Sequence, residues 1–120
     1  MKYLCLIYLD ENEMAALPAE EMNRLNQGHL ALNDDLRESG HFIEAEALEP
    51  SSTMATLKLR DGKMQVRDGP FTETKELVAG FYVVEAQDRD EAIQIASRFP
   101  SAPYARIEVW PTRQLLVTED

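Results

Sequence analysis

Cysteine is nearly absent from this sequence, because Cys5 is the only one among the 120 residues. A single thiol cannot form an internal disulfide, so the fold must be held by packing and hydrogen bonds alone. Domains without disulfides are typical of reducing compartments. The sequence therefore predicts a cytoplasmic protein.

An excess of positive charge is also missing. The chain has 12 Lys and Arg residues against 22 Asp and Glu residues, a formal net charge of −10. Proteins that bind nucleic acids or anionic membranes need clustered basic side chains, because these replace the counterions of phosphate groups. The sequence contains no such cluster. We expect no nucleic acid and no membrane among its partners.

The apolar runs are too short to span a bilayer. Residues 3–9 form one run, which ends at an acidic segment, residues 10–14, that we predict to be a loop. A signal peptide would be followed by a cleavage site of small residues, and the sequence has none at this position. Residues 77–85 form a second run, and Gly80 within it indicates a bulge or a close backbone approach. Both runs predict central strands of a sheet, buried on both faces.

Two helices are predicted. In the first, over residues 18–39, Pro18 suits the first turn and Gly40 suits the position after the last. Its inward stripe has spacings of three and four and consists of Met22, Leu25, His29, Leu32 and Leu36. The second helix begins after Asp88, which stands three residues before Glu91, the spacing of a capping box.

A β-hairpin is predicted around the Asp-Gly dipeptide at 61–62. This dipeptide lies between two alternating runs and is a strong signal for a two-residue turn. Such a turn pairs Leu59 with Met64 and Leu57 with Val66. Both apolar pairs then lie on one face of the hairpin.

Residues 67–76, which follow the hairpin, are unusually rich in charge for a connection between two strands. A sharp turn explains Gly69 but not the acidic and basic residues around it. We treat Asp68 as a candidate catalytic residue, and Glu73 and Lys75 as candidate ligand-binding residues. The alternative is that Asp68 hydrogen-bonds its own backbone and that the others form a solvated loop.

His29 is the other candidate catalytic residue, because it interrupts an apolar helical stripe. Histidine is the side chain whose charge changes nearest to neutral pH. Gly28 beside it costs about 1 kcal/mol relative to Ala in mid-helix, which indicates space or the close approach of another group. Tyr8 and Tyr82, on the two central strands, are candidate ligand-binding residues. The alternative for His29 is a core histidine that donates one hydrogen bond and does nothing more.

The order of elements predicts an α+β fold: strand, helix, strand, hairpin, strand, helix, strand. Without the inserted hairpin this is the ferredoxin-like β-α-β-β-α-β arrangement. Two helices would cover one face of the sheet and leave the other face apolar and open. Such a face is normally a subunit interface, so we expect a two-fold homodimer. The domain is expected to span residues 1–112, followed by a C-terminal tail, residues 113–120.

The segment 67–76 also carries a resemblance to a known family. Asp-Gly-Pro-Phe at 68–71, extended as Asp-Gly-Pro-Phe-x-Glu-Thr-Lys-Glu, resembles the name-giving motif of the DGPF-domain branch of the YCII-related family. The tripeptides Gly-Phe-Tyr at 80–82 and Ile-Glu-Val at 107–109 resemble the family's last strands. The similarity spans nearly the whole chain.

This resemblance implies a dimeric α+β barrel with a ferredoxin-like fold. It further implies that His29 corresponds to a first-helix histidine that pairs with an aspartate in the wider family, with Asp68 as the expected partner here. Related dimeric barrels include cofactor-free lyases, isomerases and oxygenases that act on small organic molecules. Some branch members are linked to alternative sigma factors, which suggests signalling.

Three functions stay open. The first is a cofactor-independent enzyme, in which Asp68 orients His29 for proton transfer on a small organic acid or phenol. The second is a module that binds a small ligand or regulates a partner without chemistry. The third is a protein whose surfaces serve only assembly. We expect no cofactor and no metal, because the two His and one Cys lack ligand spacing and no Gly-rich phosphate loop occurs.

Overall fold

In the computed structural model, which describes residues 1–70 and 75–118, the chain forms a four-stranded antiparallel sheet, a separate hairpin and three α-helices. The strands are β1 (Lys2–Asp10), β2 (Phe42–Ala47), β3 (Ala55–Arg60), β4 (Lys63–Asp68), β5 (Glu76–Glu85) and β6 (Arg106–Pro111). The helices are α1 (Glu11–Ala15), α2 (Ala19–Glu38) and α3 (Arg89–Ala96). The sheet order is β2-β5-β1-β6, and β3 pairs with β4. The predicted α+β class is confirmed.

Helix α2 has the predicted bounds. Pro18 precedes its first residue, and two glutamates, Glu20 and Glu21, lie in the first turn, near the positive end of the helix dipole. Gly40 has φ of 82° and reverses the chain after the last turn. His41 then donates its backbone N–H to the Leu36 carbonyl at 2.8 Å, which closes the helix end.

The predicted loop at residues 10–14 was wrong, because a short helix forms there. The Asp10 carboxylate accepts hydrogen bonds from the backbone N–H groups of Asn12 and Glu13, at 2.9 and 3.2 Å. Helix α1 thus begins at an aspartate in the N-cap position, which supplies partners for N–H groups that a short helix cannot satisfy itself.

One face of the sheet forms the core. The residues of β1 alternate, so that Tyr3, Cys5, Ile7 and Leu9 are buried beneath the helices. Phe99, which follows α3, packs into the same cluster. The opposite face is here called the open face, and no helix of the described ranges packs on it. Its residues include Leu4, Leu6, Tyr8, Val78, Phe81 and Val83. Within the described residues, the helices therefore cover only one of the two faces predicted to be buried.

Gly80 has the role that the sequence predicts. The register of β1 and β5 shifts at this point: Ile7 pairs with Gly80 and Tyr8 pairs with Val78, which leaves Ala79 as the extra residue of a bulge. A Cβ on Gly80 would lie 2.9 Å from the carbonyl oxygen of Glu46 on β2. Only glycine allows β2 to approach β5 so closely.

The hairpin has the predicted register. Leu57 pairs with Val66 and Leu59 with Met64, across a turn in which both central residues have positive φ. All four apolar side chains are 57–65 % exposed, so the rest of the described chain does not cover them. No helix in the described ranges has both the length and the apolar character needed to cross a membrane.

Candidate functional site

A cavity of about 410 Å³ lies between α2 and the covered face of the sheet. Its wall is largely apolar, with side chains from β1, α1, α2, β2 and β5. The polar residues that interrupt this wall on α2 are Asn26, His29 and Asn33, and those from other elements are Glu46, Tyr82 and Ser101. A cavity of this size, apolar with a few convergent polar groups, is typical of a small-molecule site.

His29 lies at the polar end of the cavity and contacts two hydroxyl groups. Its Nδ1 is 2.9 Å from Tyr82 Oη, and its Nε2 is 3.2 Å from Ser101 Oγ. A hydroxyl can either donate or accept, so both tautomers of a neutral imidazole are satisfied here. Both hydroxyls can also accept from a protonated ring.

Burial determines the protonation states of His29 and Tyr82. It lowers the pKa of His29, because the imidazolium loses hydration inside the protein. It raises the pKa of Tyr82 to about 12, so this phenol keeps its proton. At neutral pH the cavity therefore holds an uncharged imidazole between two uncharged hydroxyls.

Strand β5 and Phe99, three residues after the end of α3, fix the position of Tyr82. Tyr82 is only 4 % exposed and faces the helices opposite Cys5. Phe99 stacks on its ring with a centroid separation of 4.3 Å and an interplanar angle of 25°. The phenol is thus held in one orientation, as a group that positions an imidazole must be.

Gly28 explains how Ser101 reaches His29. A Cβ on Gly28 would lie 2.9 Å from Cγ of Pro100, so only glycine lets the turn after α3 approach α2 this closely. Ser101 follows Pro100 directly and is 4 % exposed. The glycine that the sequence marks as a close approach therefore brings the serine to the histidine.

Comparison with known proteins identifies the family. The model of the YCII-related domain matches residues 1–114. The chain belongs to the YCII-related family. An uncharacterised protein of Rhizobium meliloti (strain 1021) is similar to it, with 35 % identity over 102 residues, which cover 85 % of this chain and 82 % of the relative.

In this YCII-related protein the structure does not bring Asp68 to His29. Asp68 is the last residue of β4, is exposed and pairs with Ala55 across the hairpin. Both ring nitrogens of His29 instead contact Tyr82 and Ser101. Within one chain the two hydroxyls therefore take the place of the predicted carboxylate, and the exposure of every residue of β4 shows that this strand does not pack over the helix face.

Tyr8 was expected beside Tyr82 but lies on the open face. Its hydroxyl donates to Glu108 Oε1 at 3.2 Å, and the Arg106 guanidinium stacks 4.1 Å above its ring. The two tyrosines are on neighbouring strands, but Tyr82 pairs with Cys5 and Tyr8 pairs with Val78, which puts them on opposite faces. Of the two, only Tyr82 lines the cavity.

The two remaining predicted ligand-binding residues are Lys75 and Glu73. Lys75 is exposed just before β5 and does not line the cavity. Glu73 lies outside the described residues. Within residues 1–70 and 75–118 no group of three His, Cys, Asp or Glu side chains is placed to hold a metal ion.

Four polar residues that line the cavity of this YCII-related protein were missed by the sequence reasoning: Asn26, Asn33, Glu46 and Ser101. Ser101 lies in the turn after α3, and Asn33 lies four residues after His29 on α2. The spacing of Asn33 relative to His29 was a usable signal, because residues four apart share a helix face. The sequence carries no such signal for Ser101, since its contact with His29 depends on how α3 and α2 pack.

Proposed function

We propose that this protein binds a small, uncharged organic molecule in the cavity beside His29 and transfers a proton on it. The observation that carries the proposal is the neutral imidazole at the cavity wall, between Tyr82 and Ser101. A general base must be unprotonated at working pH and within reach of its substrate. His29 meets the first condition through burial and the second by lining the cavity.

The charges around the cavity favour a phenol or an enolisable carbonyl compound over an organic acid. No Lys or Arg side chain is among the described residues that line it. A carboxylate would enter without a cationic partner, and an unpaired buried charge is costly. The net charge of −10 opposes an anion further. We therefore narrow the expected class from small acids or phenols to uncharged molecules.

The proton transfer needs only side chains of this site. The substrate C–H or O–H loses its proton to Nε2 of His29, which exchanges its hydrogen bond with Ser101 for one to the substrate. The imidazolium then donates from Nδ1 to Tyr82 Oη. Return of the proton to another substrate atom completes an isomerisation. In an elimination, the electron pair of the broken C–H bond instead expels a leaving group, which takes the proton from Nε2 of His29 as it departs. General base catalysis of this kind contributes about 10²–10⁴ in rate.

A solvent-exchange measurement tests this chemistry without the natural substrate. The probe is 2-indanone, a small uncharged ketone with acidic C–H bonds. It is incubated with the protein in D₂O, and NMR follows the loss of its methylene proton signal. We expect the protein to accelerate exchange, because His29 takes up a proton and returns a deuteron. His29→Gln is expected to lose at least about tenfold of that acceleration, since glutamine keeps hydrogen bonds but is no base.

His41→Gln is the matched control. His41 lies outside the cavity, with its Nδ1–H donating to the Glu85 carbonyl at 2.7 Å. This variant should exchange 2-indanone as fast as the wild type. Equal rates for wild type and His29→Gln would contradict proton transfer by His29.

A second candidate is a binding module without chemistry. The observation that favours it is that both nitrogens of His29 already have protein partners, so that the ring completes the polar end of the cavity without taking up a substrate proton. Shifts of the His29 signals with 2-indanone, without faster exchange, would support this function. A regulatory link to sigma factors stays a prediction from the family resemblance.

We also propose that two copies pair through their open faces as a ferredoxin-like dimeric barrel. The sheet order β2-β5-β1-β6 is compatible with that arrangement once the hairpin is set aside. The radius of gyration of 17.0 Å exceeds the value of about 14 Å expected for a compact chain of this length. An uncovered apolar face and an extended shape both favour a second copy as the cover.

A further inference from the structure

A second polar side chain lines the cavity one helical turn from His29. Asn33 follows His29 by four residues on α2, so the two share a helix face about 6 Å apart along the axis. We infer that the Asn33 amide is the second anchor of the ligand and determines its specificity. The ligand then carries two uncharged polar groups at opposite ends of an apolar body, an inference that rests on the proposed cavity site.

The Asn33 amide is not satisfied by the protein itself. Its Oδ1 is closed off from water and has no hydrogen-bond donor within the described ranges. A buried amide oxygen without a partner is unfavourable, and native proteins rarely leave one. Asn33 also lines the cavity, so a ligand bound there lies beside this amide. A ligand hydroxyl that donates to it would remove the penalty.

The rim of the cavity beside His29 is apolar. Leu30 lies next to His29, lines the cavity and is 65 % exposed, so an apolar side chain stands at its rim. An apolar body between two polar ends fits this order of side chains on the helix. Because no described lining residue is Lys or Arg, an anionic group at Asn33 would lack a cationic partner.

Asn26 provides a matched control from the same helix. It also lines the cavity, three residues before His29, but it is exposed to solvent. An exposed amide is satisfied by water and gains little from a ligand. Replacing Asn26 by leucine thus makes the same chemical change as Asn33→Leu where no anchoring role is proposed.

The test compares two probes that differ by one hydroxyl, p-cresol and 4-hydroxybenzyl alcohol. Their dissociation constants are measured by NMR titration for wild type, Asn33→Leu and Asn26→Leu. We expect the wild type to bind 4-hydroxybenzyl alcohol about fivefold more tightly, the effect of one net hydrogen bond. Asn33→Leu should abolish or invert this ratio, while Asn26→Leu should keep it.

The side-chain amide signals of Asn33 in the wild type give a readout that needs no variant. They should shift with 4-hydroxybenzyl alcohol and much less with p-cresol. If both probes shift the His29 signals but the ratio is unchanged in Asn33→Leu, the anchoring role of Asn33 is wrong and the cavity site stands. If neither probe shifts His29, the cavity site is wrong and this inference with it.

Discussion

His29 is placed between two hydroxyls rather than beside a carboxylate, and this decides its chemistry. A carboxylate would raise the pKa of the ring by stabilising its charged form. Tyr82 and Ser101 are neutral, so burial dominates and the pKa is lowered. The ring is then free base at neutral pH and is ready to accept a proton.

This lowered pKa couples protonation of His29 to stability. The folded state binds the proton less well than the unfolded state, whose histidine titrates near about 6.5. Unfolding below that pH is therefore accompanied by proton uptake at His29, and the free energy of unfolding falls as the pH falls through this range. We expect the His29 ring signals in an NMR titration to have their midpoint below about 6.5.

Two variants separate the contribution of His29 to the pH dependence of stability from other effects of acid. Urea unfolding of His29→Gln should lose the part of the pH dependence due to His29, while His41→Gln should keep it. A midpoint for His29 above the ordinary value would mean that a carboxylate, such as Asp68 of a second copy, reaches the ring.

Single residues show where sequence reasoning ended. His29 was identified because it interrupts an apolar stripe with a helical period. Tyr8 was proposed as a ligand-binding residue without a face being assigned to it, because β1 and β5 are apolar almost throughout and such strands carry no alternation from which to infer a face. Asp68 was paired with His29 by resemblance, but the contact depends on the direction of the hairpin, which no local pattern encodes.

The contact between α2 and the turn after α3 is the element-level feature that builds the site. Gly28 lets Pro100 approach the helix, and Ser101 is thereby brought to Nε2 of His29. A glycine in mid-helix normally weakens the helix by about 1 kcal/mol relative to alanine. The helix keeps it because the contact with Pro100 leaves no room for a Cβ.

We therefore expect Gly28→Ala to fail to stabilise the protein. The added methyl displaces the Pro100 turn, which offsets the gain of about 1 kcal/mol in helix propensity. Denaturant unfolding measures the stability, and the His29 ring signals report displacement of Ser101. Ala31→Gly, at an exposed position of the same helix, should show the ordinary loss of about 1 kcal/mol. A full gain for Gly28→Ala with unmoved His29 signals would contradict this role.

Elements fixed by local chemistry were predictable. The hairpin register followed from the Asp-Gly turn and the alternation around it, and the ends of α2 from Pro18 and Gly40. The short helix α1 was not predicted, because an acidic segment without an apolar period indicates a loop. Asp10, a favourable N-cap, was the available signal. The packing between elements needed the structure.

At the scale of the whole molecule, the uncovered surface is the dominant feature. The chain measures 47 × 46 × 18 Å, with its helices on one face of the sheet. The open face is half-buried and has no helix packed on it within the described residues, and the apolar side of the hairpin is exposed. The inserted hairpin was recognised from the sequence, but its projection from the sheet was not.

We expect light scattering to give a mass near twice the 13.6 kDa of one chain. Phe81→Asp places a charge on the open face and should shift the mass to that of a monomer, because an unpaired charge opposes burial. Ile93→Asp, on the exposed side of α3, is the matched control and should stay dimeric. A monomeric wild type at about 100 µM, where a stable dimer of about 1 µM affinity persists, would contradict the dimer.

Proton transfer by His29 is tested most directly by the pH dependence of 2-indanone exchange in the wild type. After subtraction of the protein-free rate, we expect the rate to rise with pH, to be half-maximal at the NMR midpoint of His29, below about 6.5, and then to level off. That result would identify the neutral imidazole as the base. A wild-type rate no greater than the protein-free rate, or a half-point unrelated to the titration of His29, would contradict the proposed function.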